Sequence, residues 1–193
     1  MMKFNFAPNL NIEPRKGKVL LAEPFLDDPY FKRTVILLCE HNDEGSFGFV
    51  LNNYIDIELD KVMDDLPPFE TKISIGGPVK NSNLYYLHTL GSLIEDSVEV
   101  LDGVYMGGDF ERLKELIKQG KVETDQVRFF VGYSGWSPNQ LDDELKSNSW
   151  FIAKVKPGVL MNTGITDLWK KVMSSMGTKG SMIANFPDDP SLN

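Results

Sequence analysis

Short apolar runs, several of them rich in β-branched or aromatic residues, recur along the chain, and each predicts a β-strand. The clearest is RTVILLCEH, residues 33–41, whose centre holds Val35 and Ile36. Glycine, proline or aspartate follows several of these runs, as expected where a strand gives way to a turn. The other predicted strands lie in GKVLLAEP (17–24), SFGFVLN (46–52), TKISIGGPV (71–79), NLYYLHTL (83–90), VEVLDGVYMGG (98–108), QVRFFVGYSGW (126–136) and WFIAKV (150–155).

Other segments have the spacing of an amphipathic helix. In ELDKVMDDLPP, residues 58–68, one face is apolar and is made of Leu59, Val62, Met63 and Leu66. Three more helices are predicted in DFERLKELIKQG (109–120), SPNQLDDELKSN (137–148) and TDLWKKVMSSMG (166–177).

Capping residues mark the ends of two of these helices. Asp109 is a predicted N-cap, and Gly120 follows the last turn of the same helix. In the next helix Ser137 is the predicted N-cap, Pro138 takes the first position, and the Gln140 side chain reaches back as in a capping box.

Turn residues order these elements into one domain. Asn42 to Gly45 and Asp102-Gly103 predict β-hairpins, and residues 76–78 and 132–136 predict tight glycine-rich turns. Because hairpins alternate with interspersed helices, the pattern indicates an α+β domain with a mixed sheet. We expect an N-terminal arm at 1–16, the domain at 17–177 and an irregular C-terminal tail at 178–193.

Composition narrows the class of protein. The 193 residues include one cysteine, so no internal disulfide is expected. No apolar run is long enough to cross a bilayer and no signal peptide is apparent, so a cytoplasmic protein without a membrane partner is predicted. The net charge of −8 makes direct nucleic-acid binding an unfavourable hypothesis.

Several strings in the chain resemble the AlgH/YqgE family. They are GKVLLAEPFLDDPYFKRTVILLCEHNDEGSFGFVLN, then GGPV, then YLHT, then VGYSGWSPNQLDDEL and a closing tryptophan, and the match covers roughly residues 17–177. The resemblance implies a bacterial cytoplasmic protein with one domain built on a mixed, partly barrel-like sheet flanked by helices. The family is labelled a transcriptional regulator, and the resemblance transfers no catalytic residues.

Two positions depart from the family pattern at the start of the predicted helix at 137–148. Asn139 stands where members typically have glycine, and Asp142 stands where they have glutamate. Both changes keep a small or polar residue, but they leave open whether the local backbone is the same.

The string CEH carries the clearest candidate chemistry. Residues i and i+2 of a strand share a face, so Cys39 and His41 are predicted to project together while Glu40 projects oppositely. Their Cβ atoms would be roughly 6.5–7 Å apart, which is long for a direct hydrogen bond. Two interpretations stay open: a thiolate activated by His41, or a small buried thiol at a strand end.

Known site motifs are incomplete in this sequence. Cys39, His41 and His88 would supply three metal ligands at most, without CxxC, HxxxH or HExxH spacing, so no metal and no cofactor are predicted. GYSGW differs from the G-x-S-x-G nucleophile elbow, because glycine directly follows Ser134. GGPVKN could form an amide nest for an anion or a plain turn, and it lacks the P-loop lysine.

Three functional hypotheses follow. The leading one is a regulatory domain that acts through an unknown protein or small-molecule partner. The second is an enzyme whose pocket combines Cys39 and His41 with the glycine-rich loops, and the third is a DNA-binding regulator, which the charge disfavours. The catalytic residues are unknown, and the candidate pocket contains Cys39, His41, Asn42, Gly76, Gly77, Pro78, His88, Gly132, Ser134 and Trp136.

Overall fold

The structure is a computed structural model that describes residues 12–57, 59–63 and 66–187. Its strands are β1 (Val19–Ala22), β2 (Val35–Asn42), β3 (Gly45–Val50), β4 (Tyr54–Ile55), β5 (Ile73–Ile75), β6 (Val79–His88), β7 (Val98–Leu101), β8 (Val104–Met106), β9 (Val127–Trp136) and β10 (Trp150–Ala153). Its α-helices are α1 (Leu59–Val62), α2 (Phe110–Lys118), α3 (Gln140–Lys146), α4 (Pro157–Met161), α5 (Leu168–Ser174) and α6 (Gly177–Ile183).

The strands form one mixed sheet in the order β10-β1-β2-β3-β9-β6-β8-β7, and β4 pairs with β5 beside it. β9 is central, since it pairs antiparallel with β3 and β6 and parallel with β5. Both predicted hairpins are confirmed, with Asn42 opposite Gly45 and Leu101 opposite Val104. The α+β class with a mixed sheet is confirmed as well.

The sheet curls so that the segment before β1 lies against β7, which is at the far end of the strand order. Gly17 donates its N–H to Leu38 at 2.8 Å, and a Cβ at Gly17 would lie only 2.7 Å from the Val100 carbonyl oxygen. Gly17 also has a φ of +81°, a backbone conformation that favours glycine. This near-closure gives the sheet its partly barrel-like form.

Helices cover the sheet on more than one side, and three apolar clusters lie between helices and strands. The largest cluster, here called the inner core, packs Trp169 of α5 with Leu37 and Phe130 of the strands. A second packs Leu113 of α2 against Phe129, and a third includes Leu141 of α3, Ile36 and Trp136.

The C-terminal segment is not irregular as predicted. Residues 177–183 form α6, and Ile183 and Ala184 belong to the inner core. Gly180 lets α6 approach α5 closely, because a Cβ there would overlap the Met173 carbonyl. Residues 188–193 of the predicted tail, and 1–11 of the predicted arm, lie outside the described residues.

Three further elements differ from the sequence pattern. Of the described residues in the segment 58–68, where a helix is predicted, Leu59–Val62 are helical, and the sequence pattern misses α4 because it has five residues and a glycine. The predicted turn at 132–136 is part of β9, in which Ser134 pairs with Gly48 and Trp136 with Ser46.

Candidate functional site

A β-bulge in β2 decides where the CEH side chains point. The β2–β3 register shifts between Leu38 and Glu40, which leaves Cys39 as the extra residue. Beyond the bulge the alternation is reversed, and His41 lies opposite Ser46. The prediction that Cys39 and His41 share a face is therefore wrong.

Cys39 is buried in the inner core and is only 3% exposed. Its Sγ lies 3.8 Å from the Leu37 carbonyl oxygen, and burial raises the pKa of the thiol. The thiol is therefore protonated at neutral pH, which agrees with the interpretation as a small buried side chain and not with an activated thiolate.

His88 is buried in a different environment. Its Nδ1 accepts the Leu90 N–H at 3.2 Å, so the ring proton is on Nε2, which donates to the Gly107 carbonyl at 3.1 Å. The ring stacks on Tyr105 at 5.7 Å between centroids, and burial lowers the pKa of the imidazole. Cys39, His41 and His88 thus have separate neighbours and do not form one pocket.

The GGPV string joins β3 to β9, and the Gly76 N–H donates to the Val131 carbonyl at 2.9 Å. The Gly76 carbonyl accepts the Val50 N–H at 2.8 Å and the Ser134 hydroxyl at 3.0 Å. A Cβ at Gly77 would overlap the Tyr133 carbonyl group, so these positions allow only a bare backbone. Of the predicted pocket residues, Gly76, Gly77, Gly132 and Ser134 are therefore buried at this junction, while Pro78 is exposed.

The end of the β2–β3 hairpin forms one wall of a polar cleft of about 260 Å³, here called the His41 cleft. His41 is held in it by its Nδ1, which lies 2.8 Å from the Ser46 hydroxyl. The lining residues are His41, Asn42, Asp43, Gly45, Ser46, Ser137, Asn139, Leu141 and Asp142.

A second cleft of about 240 Å³ lies beside the first and shares Asn42, Gly45 and Ser46 with it. Its other lining residues are Glu40, Glu44, Phe47 and Trp136, and it is here called the Phe47 cleft. Of the ten pocket residues predicted from the sequence, His41, Asn42 and Trp136 meet at these two clefts.

The start of α3 forms the opposite wall of the His41 cleft. The helix begins at Gln140, two residues later than predicted, because Asn139 has a left-handed φ of +64°. Asparagine adopts this conformation more readily than most residues, which explains how it replaces the family's glycine. The predicted reach-back is confirmed, since the Gln140 side-chain oxygen accepts the Ser137 N–H at 3.0 Å.

The carboxylate of Glu144 links α3 to β9 and β10. Glu144 Oε2 accepts the indole N–H of Trp136 at 2.9 Å and that of Trp150 at 2.7 Å, and Oε1 accepts from Gln140 at 3.0 Å. The two indole N–H groups therefore fix the helix against two buried rings, while the Gln140 bond holds the carboxylate from within α3. Local sequence spacing does not predict this contact, because it depends on how α3 packs against β9 and β10.

Carboxylates dominate the charge around the two clefts. Asp43 and Asp142 line the His41 cleft, and Glu40 and Glu44 line the Phe47 cleft. Within the described part of the chain, neither lining includes a lysine or an arginine. The site consequently favours cationic or neutral polar groups over anions.

Arg128 is a buried cation that the sequence patterns missed. It is 0% exposed, and its guanidinium donates to the carbonyls of Leu160, at 2.5 Å, and Leu51. The hydroxyls of Ser74 and Tyr54 lie 3.3 and 3.4 Å away, and no carboxylate contacts it among the described residues. Burial lowers its pKa, although Tyr54 opposes that shift. The sequence feature that could have indicated a buried cation is a single arginine within the largely apolar strand β9.

The described residues contain no group of three or more histidine, cysteine, aspartate or glutamate side chains that could hold a metal ion. None of their helices combines the length and the apolar character that a membrane span requires.

Comparison with known proteins agrees with the fold. The AlgH-like family model matches residues 19–181. A UPF0301 protein of Cytophaga hutchinsonii is 43% identical over 179 residues, which is 92% of this chain and 98% of the relative. A UPF0301 protein of Bacteroides thetaiotaomicron is 38% identical over 184 residues, covering 95% and 93% of the two chains.

Two solved structures share the architecture. Protein DIP2367 of Corynebacterium diphtheriae superposes with a TM-score of 0.79 at 26% identity, covering 96% of this chain and all of that one. The solution structure of the AlgH protein from Pseudomonas aeruginosa gives a TM-score of 0.71 at 26% identity, covering 92% and 98%. With the family model spanning most of the domain, this chain belongs to the AlgH-like family.

Proposed function

We propose that this protein is a cytoplasmic regulatory domain that binds a partner through the His41 and Phe47 clefts. The observation that carries the proposal is the position of the solvent-accessible polar groups. His41, Asn42 and Asp142 line the His41 cleft between the β2–β3 hairpin and α3, with Asn42 exposed and the other two half-buried, whereas Cys39 and His88 are buried elsewhere. Polar side chains held by a rigid scaffold are typical of a recognition surface.

The partner in this proposal is not duplex DNA. DNA binding requires cations that neutralise phosphates, and the two clefts present four carboxylates instead. Any effect on transcription would then be exerted through another protein or a small molecule.

Affinity capture tests the proposal. Immobilised wild-type protein and the variant His41→Ala/Asp142→Asn are exposed to a bacterial lysate, and retained proteins are quantified by mass spectrometry. A variant with Glu70→Gln and Asp102→Asn, both exposed and away from the clefts, is the matched control. We expect at least one protein, with direct binding verified by calorimetry, to be retained by wild type and control and reduced about tenfold by the cleft variant. Equal retention by all three baits would contradict the proposal.

A second candidate function, ester hydrolysis, is favoured by one observation, the 2.8 Å contact between Ser46 Oγ and His41 Nδ1. In this reaction Ser46 would attack an acyl carbon while His41 takes the hydroxyl proton and passes it to the leaving alkoxide; water would then release the acyl group. A fluorophosphonate probe tests it. Intact mass should show one adduct on wild type and none on Ser46→Ala, and an unlabelled wild type excludes this function.

A further inference from the structure

We propose that the Phe47 cleft binds an organic cation, the guanidinium or ammonium group of a basic side chain in a partner peptide. This inference rests on the proposed function and names the chemistry of its ligand. The cleft combines aromatic surface from Phe47 with the carboxylates of Glu40 and Glu44. Aromatic rings and carboxylates together attract a cation with an apolar stem.

The bulge at Cys39 creates this combination. Residues opposite each other in an antiparallel ladder project to the same face, and Glu40 is opposite Phe47. In a regular strand Glu40 would project to the face opposite Cys39. Cys39 belongs to the inner core and Phe47 packs against that core, so Glu40 would then lie on the other side of the sheet from Phe47. The extra residue therefore re-aims a carboxylate to stand beside an aromatic ring.

The ring of Phe47 is fixed by other rings before any ligand arrives. Its centroid lies 5.0 Å from that of Tyr133, 5.1 Å from that of Phe49 and 6.2 Å from that of Tyr85. Phe47 is nevertheless only partly buried, so part of the ring remains available at the cleft. A ring held in place loses little conformational entropy on binding.

The two carboxylates of the Phe47 cleft are not neutralised from within the described chain. Glu40 accepts one hydrogen bond, from the Asn42 amide at 2.8 Å, and neither Glu40 nor Glu44 has a lysine or arginine partner there. Ion pairs at 3.0 Å or less occur instead on the surfaces of α2 and α3. A guanidinium is suited to this site, because it stacks on aromatic rings and bonds carboxylates through two N–H groups.

The size and donor set of the Phe47 cleft also favour a side chain. About 240 Å³ is smaller than the roughly 300–1,000 Å³ of pockets that enclose whole cofactors or drug-sized ligands. Calcium takes six to eight oxygen ligands, far more than two carboxylates on an open surface provide.

NMR titration of ¹⁵N-labelled protein tests the inference. The probes are Ac-Gly-Arg-Gly-NH₂, the same peptide with lysine, the same peptide with neutral citrulline, and the free amine agmatine. We expect the arginine and lysine peptides to shift the Glu40, Glu44 and Phe47 amides, and the citrulline peptide to bind at least tenfold more weakly. Glu40→Gln/Glu44→Gln should weaken arginine-peptide binding about tenfold, and Glu70→Gln/Asp102→Asn should leave it unchanged.

Several outcomes would overturn the inference. Equal binding of the citrulline peptide would exclude recognition of a cation, and binding of agmatine without either peptide would exclude a peptide source. If no peptide binds but the His41→Ala/Asp142→Asn variant still loses its captured partner, the ligand class is wrong and the proposed site stands. Unchanged capture by that variant contradicts the proposed function itself.

Discussion

The Arg128 guanidinium lies in the core with no carboxylate beside it among the described residues, and its hydrogen bonds to backbone carbonyls connect the turn after β3 with α4. Lysine keeps the charge but has one donor group in place of a planar fork, so it cannot serve both carbonyls in the same geometry. We expect Arg128→Lys to lower the free energy of unfolding by about 2–3 kcal/mol, measured by urea denaturation. The exposed Arg15→Lys should change it by less than about 0.5 kcal/mol. Equal effects of the two substitutions would show that the buried guanidinium has no special role.

His88 predicts a specific loss of stability in acid. Its ordinary pKa is 6.5, burial lowers that pKa in the folded state, and Nδ1 is occupied by the Leu90 N–H. Below pH 6.5 the unfolded chain therefore binds a proton that the native state does not, and the free energy of unfolding falls until the folded pKa is passed. The slope contributed is at most about 1.4 kcal/mol per pH unit.

The variant His88→Asn isolates this contribution, because its amide oxygen can accept the Leu90 N–H without titrating. Urea denaturation between pH 7 and pH 5 should show a shallower decline for the variant than for wild type. Parallel declines would assign the acid sensitivity to other groups.

Among the elements, hairpins and long strands could be predicted from the sequence, whereas the bulge could not. Asn42 to Gly45 and Asp102-Gly103 signal turns through their own backbone preferences, so their strands pair as expected. An extra residue such as Cys39 leaves no mark in an apolar run, and one residue reverses the faces of Glu40 and His41. The candidate pocket was therefore predicted only in part: His41, Asn42 and Trp136 meet at the clefts, whereas Cys39 does not.

The contact between the GGPV segment and β9 predicts that substituting alanine at Gly77 and at Gly158 has opposite effects on stability. Gly77 lies against the Tyr133 carbonyl with no room for a Cβ, whereas Gly158 in α4 has open space around its Cβ position. Gly77→Ala should lower the free energy of unfolding by about 3 kcal/mol or prevent folding, because backbone must move on both sides. Gly158→Ala should raise it by about 0.5–1 kcal/mol. Thermal unfolding of the pair measures both, and a mild effect at Gly77 would contradict the close approach.

For the molecule as a whole, α6 belongs to the folded domain, although its sequence predicted an irregular tail. The segment GTKGSMI contains two glycines and weak helix formers, so its helix propensity is low and does not predict a helix. The helix is stabilised by packing against α5. Ile183 is 1% exposed and the adjacent Met182 is 61% exposed. We expect Ile183→Ala to cost about 2–4 kcal/mol and Met182→Ala less than about 0.5 kcal/mol in urea denaturation. Similar values for the two would show that α6 does not contribute to the core.

The position of β1 between β2 and β10 has a consequence for synthesis. Val19 is opposite Leu37 on one side and Ala153 on the other, so one neighbour is made early and the other more than a hundred residues later. At roughly 5–20 residues per second, the nascent chain carries an open strand edge for several seconds before β10 emerges. Contacts between residues so far apart in sequence slow folding, and an exposed strand edge can pair with other chains. Chaperones that shield nascent chains should therefore act on this protein mainly before residue 150 leaves the ribosome.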